Sequence, residues 1–419
     1  MAAGYVQILR TRHVLRLLVG TLVGRLPTAT ASVMVVLFVR AEGGSYSLAG
    51  GLAAVYGLAN AVGQPLLGRL VDLYGQPRVQ LPAALASALA MTVFALVGTD
   101  VLPVAYGAAA LGGLSVPPLE GGLRALWPSV LRHEAEVHRA YAMDAVTQEV
   151  IFTVGPLLVS LCVAVWSARA AVLVIHLVGV LGAVAVVSSR PARTWRSEPR
   201  EAHWLGALRS AGLLALLAAF LFVGVALGSI AVAAMAYADG HGGDAVYGWL
   251  MTGVGFGALV GGAAYGARKW AGQPERRLMV LVALLAAGYA PLATTPGAVA
   301  MTLLTVLAGL CLAPAIACAF IVVDRHAPRG TVTEAFSWLV TTVTVGSALG
   351  TAVAGPVVQW GGARWGFAVP ASAAVVGCAV LLATGRVLAA APEAVADGVV
   401  AENDHNGAAE AGFSTGHRA

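Results

Sequence analysis

The eleven residues Gly68-Arg69-Leu70-Val71-Asp72-Leu73-Tyr74-Gly75-Gln76-Pro77-Arg78 separate two apolar runs, 48–67 and 79–98. Each run has about 20 residues, enough for a helix to cross ~30 Å of hydrocarbon at ~1.5 Å per residue. A connection this short must turn the chain tightly between two helices. Gly68 and Gly75 allow close packing and positive φ at low cost. Asp72 can accept hydrogen bonds from helix-end amides or pair with an arginine.

The same alternation of apolar run and polar punctuation continues on both sides. Spans are expected near 17–39, 48–67, 79–98, 101–126, 141–166 and 168–187, then 212–236, 246–265, 278–294, 297–323, 336–358 and 365–383. Composition agrees: 59% of the 419 residues are hydrophobic and 11% charged, against about 25% charged in ordinary soluble domains. Most of the chain therefore faces lipid or other helices. Arg10, Arg12 and Arg16 precede the first apolar run in the manner of a secretory leader, but that run continues to Val39 and is expected to be a retained helix.

The formal charge of +5 does not form one continuous patch of the kind that suits a nucleic acid. Basic residues sit in short clusters between spans, and the bias of Arg and Lys toward the cytoplasmic side sets orientation. With the amino terminus inside, twenty basic residues fall on the inner side and only Arg40, Arg169 and Arg364 on the outer. Both termini are then cytoplasmic. A single lysine among 25 basic residues, with abundant alanine, suits a GC-rich bacterium and hence a bacterial cytoplasmic membrane.

Residues 188–211 carry a run of arginines with Pro191 and Pro199 and divide the chain into a six-helix bundle over 1–187 and another over 212–388. Residues 389–419, rich in Ala, Gly, Glu and Asp, are expected to be a disordered cytoplasmic tail. The halves repeat. Gly75-Gln76-Pro77 recurs as Gly272-Gln273-Pro274 and Pro117 as Pro314, while Ala140-Tyr141 through Gly155 matches Ala335-Phe336 through Gly350 at nearly the same offset. A parallel repeat of this kind places a substrate site between the halves near the membrane midplane.

At this point the loop carries a family resemblance. Its glycine, aliphatic, aspartate, glycine and basic residues, in the inner loop after the second span, resemble the signature of the major facilitator superfamily. The resemblance implies an all-α polytopic fold of twelve transmembrane helices in two pseudo-symmetric six-helix bundles, and secondary transport by alternating access. It also implies that Gly68, Asp72, Gly75 and Arg78 form a charge latch that stabilises the outward-facing state. Lys269 stands where the second half would repeat Asp72, so that half's latch is degenerate. Gly155-Pro156, in the fifth span, resembles the antiporter signature of drug and metabolite exporters; Ile151 and Val159-Ser160 stand where its other glycines would be. The residues by themselves read as a helix bend.

Ionisable groups within a span cost at least ~2.5–3.5 kcal/mol each, so those retained invite a role. Arg25, Glu120, Arg124, Asp144 and Glu149 all lie in the first half. Counting from the nearest inner charge puts Arg25, Arg124 and Glu149 roughly 12 to 15 Å deep. The first, fourth and fifth spans could thus present two arginines and a carboxylate to one another, with Glu120 pairing to Arg124 four residues on. Such a cluster either handles a proton and an anionic group or fixes helix packing as buried ion pairs do. Asp144, near the inner end, is expected to cap a helix or contact a loop. Tyr56, Asn60 and Gln64 recur every four residues on the second span, either lining a cavity or hydrogen-bonding between helices. In the eleventh span, Gly346, Gly350 and Ala354 form a small-residue stripe suited to tight helix contact.

The expectation is a secondary transporter of a small organic solute, coupled to protons, exporting a drug-like compound or metabolite and working as a monomer. An importer or facilitator of the same fold is the alternative. No aspartate cluster, His-Glu zinc helix or Gly-Lys-Ser/Thr phosphate loop is present, so neither an enzyme nor an ATP-driven pump is expected, and no cofactor or metal.

Overall fold

The computed structural model describes residues 8–389 apart from 132, 200–202, 204, 269 and 271, and not the side chains of Tyr46, Glu149, Thr153 and Asp244. The expected tail beyond Ala389 and Lys269 lie outside the described residues, as does the Glu149 side chain.

All the regular structure among the described residues is helical. The first half runs α1 (Val14–Gly24), α2 (Leu26–Ala41), α3 (Tyr46–Tyr74), α4 (Gln76–Val97), α5 (Leu102–Leu114), α6 (Leu119–Val130), α7 (Glu134–Val165) and α8 (Ala168–Val187). A connecting segment holds α9 (Arg190–Thr194) and a 3-10 turn, Gly206–Arg209. The second half runs α10 (Ala211–Asp239), α11 (Asp244–Ala267), α12 (Pro274–Tyr289) with a 3-10 turn Ala290–Thr294, α13 (Ala298–Gly309), α14 (Leu312–His326), α15 (Val332–Ala383) and α16 (Gly385–Ala389).

Ten continuous or near-continuous helices among these are long and apolar enough to cross a bilayer. Two features reconcile ten with the expected twelve. The last of them, α15, is two helices joined at Gly362, where φ is 70°, and α3 is outside the ten although it is 29 residues long. Tyr56, Asn60 and Gln64 dilute its hydropathy. Three spans are interrupted: the first at Arg25, just before Pro27; the fourth at 115–118, around Pro117 and Pro118; and the tenth at 310–311, just before Pro314. Proline removes an amide and crowds the preceding turn, so these breaks are written in the sequence.

The sequence repeat has a conformational counterpart. Gly75 and Gly272, 197 residues apart, both adopt φ of 88°. In the first half α3 and α5 approach until a Cβ on Gly113 would strike the Tyr56 carbonyl; in the second, α11 and α13 approach until a Cβ on Gly309 would strike the Val254 carbonyl. Backbone contact this close is the usual use of small residues between membrane helices. The eleventh-span stripe works likewise, with Gly346 and Gly350 against the Leu221 and Val225 carbonyls of α10.

One end of the bundle gathers most of the arginines, and the chain connections there touch. Arg69 donates to the His203 carbonyl at 3.4 Å, Gly75 abuts Arg196, Arg329 lies 3.9 Å from Glu198, and Gly206 packs on Glu334. This end is called the basic face below.

Candidate functional site

The break in the fourth span builds the site. It frees backbone carbonyls that a membrane interior would otherwise leave unsatisfied, and glutamines of α3 and α4 donate to the break and to the first turn of α6 that follows it. Gln64 donates to the Val116 carbonyl at 3.1 Å and to Asn60 Oδ1 at 3.2 Å; Gln76 donates to Gly122 O at 2.8 Å and Gln80 to Pro118 O at 3.4 Å. Gln64 thus bonds across to the broken span while Asn60 accepts from Gln64 within α3, and Tyr56 is buried against α5. Gln76 and Gln80 went unnoticed in the sequence because they sit at the entrance to a span, where polar residues are ordinary.

Restarting the helix at Leu119 puts Glu120 in its first turn, where the helix dipole favours a carboxylate. Arg124 follows one turn on and is fully buried. Its Nε donates to Asp144 Oδ2 at 2.6 Å, and its Nη2 lies 3.2 Å from Glu120 Oε2 and 3.4 Å from Gln148 Oε1. Arg25, projecting from the break in the first span, pairs with Glu120 Oε1 and lies 4.0 Å from Asp144 Oδ1. Among the described side chains, two guanidinium groups and two carboxylates from three spans therefore form one charge-balanced cluster. Glu120 is its least enclosed member, with 12% of its side chain exposed against 2% for Asp144.

Asp144, expected as a cap or loop contact near the inner end, instead joins Glu120 in facing both arginines.

The second half closes over this cluster. The Arg124 guanidinium lies 3.7 Å from the centre of the Phe320 ring of α14 and 5.8 Å from that of Phe336 of α15. Tyr141 of α7 packs edge-on to Phe320 at 6.1 Å. Arg124 Nη1 is buried without a hydrogen-bond acceptor, and the face of Phe320 is what it meets. A cation over an aromatic face in a desolvated setting is worth about 2 kcal/mol.

Nearer the basic face, Asp72 spans the two halves. Its Oδ1 accepts the Thr333 amide at 3.1 Å and its Oδ2 the Glu334 amide at 2.9 Å, both in the first turn of α15. Of the two expected partners for this aspartate, helix-end amides or an arginine, the amides are the ones engaged, and Arg78 is exposed. Gly68 permits the approach: a Cβ there would lie 2.6 Å from Ser337 Oγ. Deeper still, Thr341 donates to the Ala61 carbonyl at 3.1 Å. Gly155, before Pro156 in α7, meets Thr30 of α2 with room for a Cβ only at 2.9 Å. The sequence singled out charges within the first half's spans and missed Glu275, Asp324 and Glu334, which lie separately at the ends of α12, α14 and α15. Their signal was carboxylates next to span ends, a pattern shared with any solvated loop.

The sequence profile described as Major Facilitator Superfamily matches residues 17–333. No curated protein sequence matches significantly. Among solved structures, a bacterial homologue of the iron transporter ferroportin in an outward-facing state superposes with a TM-score of 0.70 at 14% identity, covering 88% of this chain and 98% of that one. The major facilitator transporter FucP in its outward conformation gives 0.65 at 14%, covering 89% and 99%. The human organic anion transporter MFSD10 gives 0.62 at 18%, covering 88% and 97%. These identities speak to fold alone. With a profile match over most of its length and that fold, this multi-pass membrane protein is a transporter that belongs to the major facilitator superfamily.

Proposed function

We propose that the protein exports a small organic solute by alternating access, driven by protons entering through the cluster of Arg25, Glu120, Arg124 and Asp144. The observation that carries this reading is the cluster's position: charge-balanced, enclosed by three spans of one half, and covered by Phe320 and Phe336 of the other. Charges there cost insertion energy that simple packing does not require. Glu120 is the member best placed to meet a proton. Protonation would release Arg25 and one donor of Arg124, which then face an acidic group of a substrate or lose their hold on the aromatic cover.

Arginine bias supports a cytoplasmic basic face, which makes the present arrangement, tightly packed there by Asp72, Gly68 and Thr341, the outward-facing one. In this reading the protein works as a monomer in a bacterial cytoplasmic membrane with both termini inside, and Gly155-Pro156 supplies a bend against α2 during rocking.

The test is transport of a labelled panel of drug-like and metabolic compounds in proteoliposomes, with and without an imposed pH gradient. Accumulation against the proton gradient by the wild type, lost in Glu120→Gln while substrate exchange at equal pH continues, is the expected result. Glu149→Gln is run in parallel. Rates indifferent to the gradient in the wild type, together with an unaltered Glu120→Gln, sink proton coupling; movement with the gradient reverses the direction.

A further inference from the structure

A crevice of about 450 Å³ opens on the basic face between α7 of the first half and the α11–α12 connection of the second. Arg139, Arg268, Arg277 and Arg325 line it, with Tyr265 and Trp270. The aromatic rings order the cations: Trp270 stacks on Tyr265 with centroids 5.0 Å apart, Arg268 lies 5.1 Å from the Trp270 ring, and Arg277 lies 5.7 Å from Tyr265 and 5.5 Å from Trp270.

Several donors here lack a strong acceptor. Nε and Nη1 of Arg277 and the hydroxyl of Tyr265 are buried with no oxygen or nitrogen to donate to, and the weakly accepting Cys318 thiol is the group that Tyr265 and Arg277 share. Buried polar atoms in native proteins are nearly always satisfied, and leaving a charged donor unmet costs more than leaving a neutral one. The carboxylates nearby do not supply the acceptor. Glu275 Oε1 faces Arg325 Nε at 3.2 Å and His326 Nε2 at 3.6 Å as an ion pair without a hydrogen bond, and Glu134 lies 3.5 Å from His138 with its side chain largely in solvent. The crevice thus holds more positive than negative charge, and its donors converge from both halves of the molecule.

From this geometry we infer that the crevice is a binding site for a phosphate group, held by Arg277 and Tyr265 with Arg139, Arg268 and Arg325 around it. Guanidinium forks match the oxygens of phosphate in paired hydrogen bonds, and a tetrahedral group can answer donors that do not share a plane, whereas the two oxygens of a carboxylate accept mainly in the plane of the group. Because Arg139 belongs to α7 and the other cations to the residue after α11, to α12 and to α14, an occupant bridges the halves and favours the arrangement closed on the basic face. The phosphate can belong to an acidic lipid headgroup, since basic pockets at membrane-facing helix ends take such groups, or to a soluble phosphate monoester.

The experiment uses the full chain in nanodiscs. In one arm the discs are phosphatidylcholine and glycerol 3-phosphate or inorganic phosphate is titrated while thermal unfolding is followed, with acetate as the carboxylate control. In the other, the fraction of phosphatidylglycerol in the disc is raised and bound lipid is counted by native mass spectrometry. Saturable stabilisation in the first arm assigns a soluble phosphate, and retained phosphatidylglycerol with stabilisation only in the second assigns a headgroup. In either case Arg277→Gln is expected to weaken the effect about tenfold or more and Tyr265→Phe to a smaller extent. Arg386→Gln, exposed on the same face, is expected to leave it unchanged. Arg268→Gln, at an exposed position, gives a second variant should Arg277→Gln fold poorly. No response to either probe, a response equal for acetate, or equal responses in wild type, Arg277→Gln and Arg268→Gln overturns the assignment.

Discussion

The Arg124 guanidinium rests 3.7 Å from the centre of the Phe320 ring, so the most deeply buried cation of one half is sealed by an aromatic side chain of the other. Phe320 is therefore a coupling element between the ionic cluster and the relation of the halves. Phe320→Leu keeps most of the packing and removes the cation–π contact, a loss of about 1–2 kcal/mol. The population open on the basic face is expected to rise about 5- to 30-fold. Spin labels at Leu73→Cys and Arg386→Cys in a background without native cysteines, both exposed on that face, will report the change as a longer distance.

Asp144 is the acceptor for Arg124 Nε. Asp144→Asn leaves a buried guanidinium short of charge and is expected to cost about 3–5 kcal/mol, read as a lower Tm in detergent. Because the pair acts as a unit, Asp144→Asn combined with Arg124→Gln is expected to be milder than the sum of the two. Strict additivity in this double-mutant cycle would remove the direct pairing.

Asp72 acts as a cap supplied in trans, its two oxygens taking two amides at the start of α15. Asp72→Ala is expected to destabilise this closure by about 1–2 kcal/mol, and the same spin-label pair will show opening. Gly68→Leu acts sterically, because a side chain there meets Ser337 and the Thr333 carbonyl. It is expected to open the basic face even with Asp72 intact.

Two glycines of α5 separate packing from helix propensity. Gly113→Ala drives a methyl group into the Tyr56 carbonyl, whereas Gly107 has open space around it. Gly107→Ala is expected to be neutral or to stabilise by up to about 1 kcal/mol, since alanine is the better helix former. Gly113→Ala is expected to lower Tm and yield, because backbone cannot give way as a flexible side chain does. Equal behaviour of the two variants in a thermal unfolding assay counts against the close α3–α5 contact.

Much of the fold was legible because membrane insertion constrains sequence strongly. Runs long enough to cross hydrocarbon, prolines at the breaks, and Gly75 with Gly272 at matching offsets each follow from local rules, and the conformations agree. Arg25, Glu120 and Arg124 were legible as candidates for the same reason, since a charge in an apolar run stands out. The place of Asp144 was not legible. Asp144 lay close enough to a span end to look solvated, and an arginine side chain reaches over more than one turn, so its partner depends on helix rotation. Tyr56, Asn60 and Gln64 showed a polar stripe without showing that Gln64 faces the broken fourth span.

The sequence by itself determined that the chain crosses a membrane many times, that its halves repeat, and that a few charges are held where charge is costly, because each is a local property of composition and spacing. Only the tertiary structure decided which charges meet, which half covers them, and that the Asp72 oxygens cap a helix some 260 residues away. Those relations depend on how helices rotate and approach. The contacts that set rotation come from distant parts of the chain, and no local pattern records them.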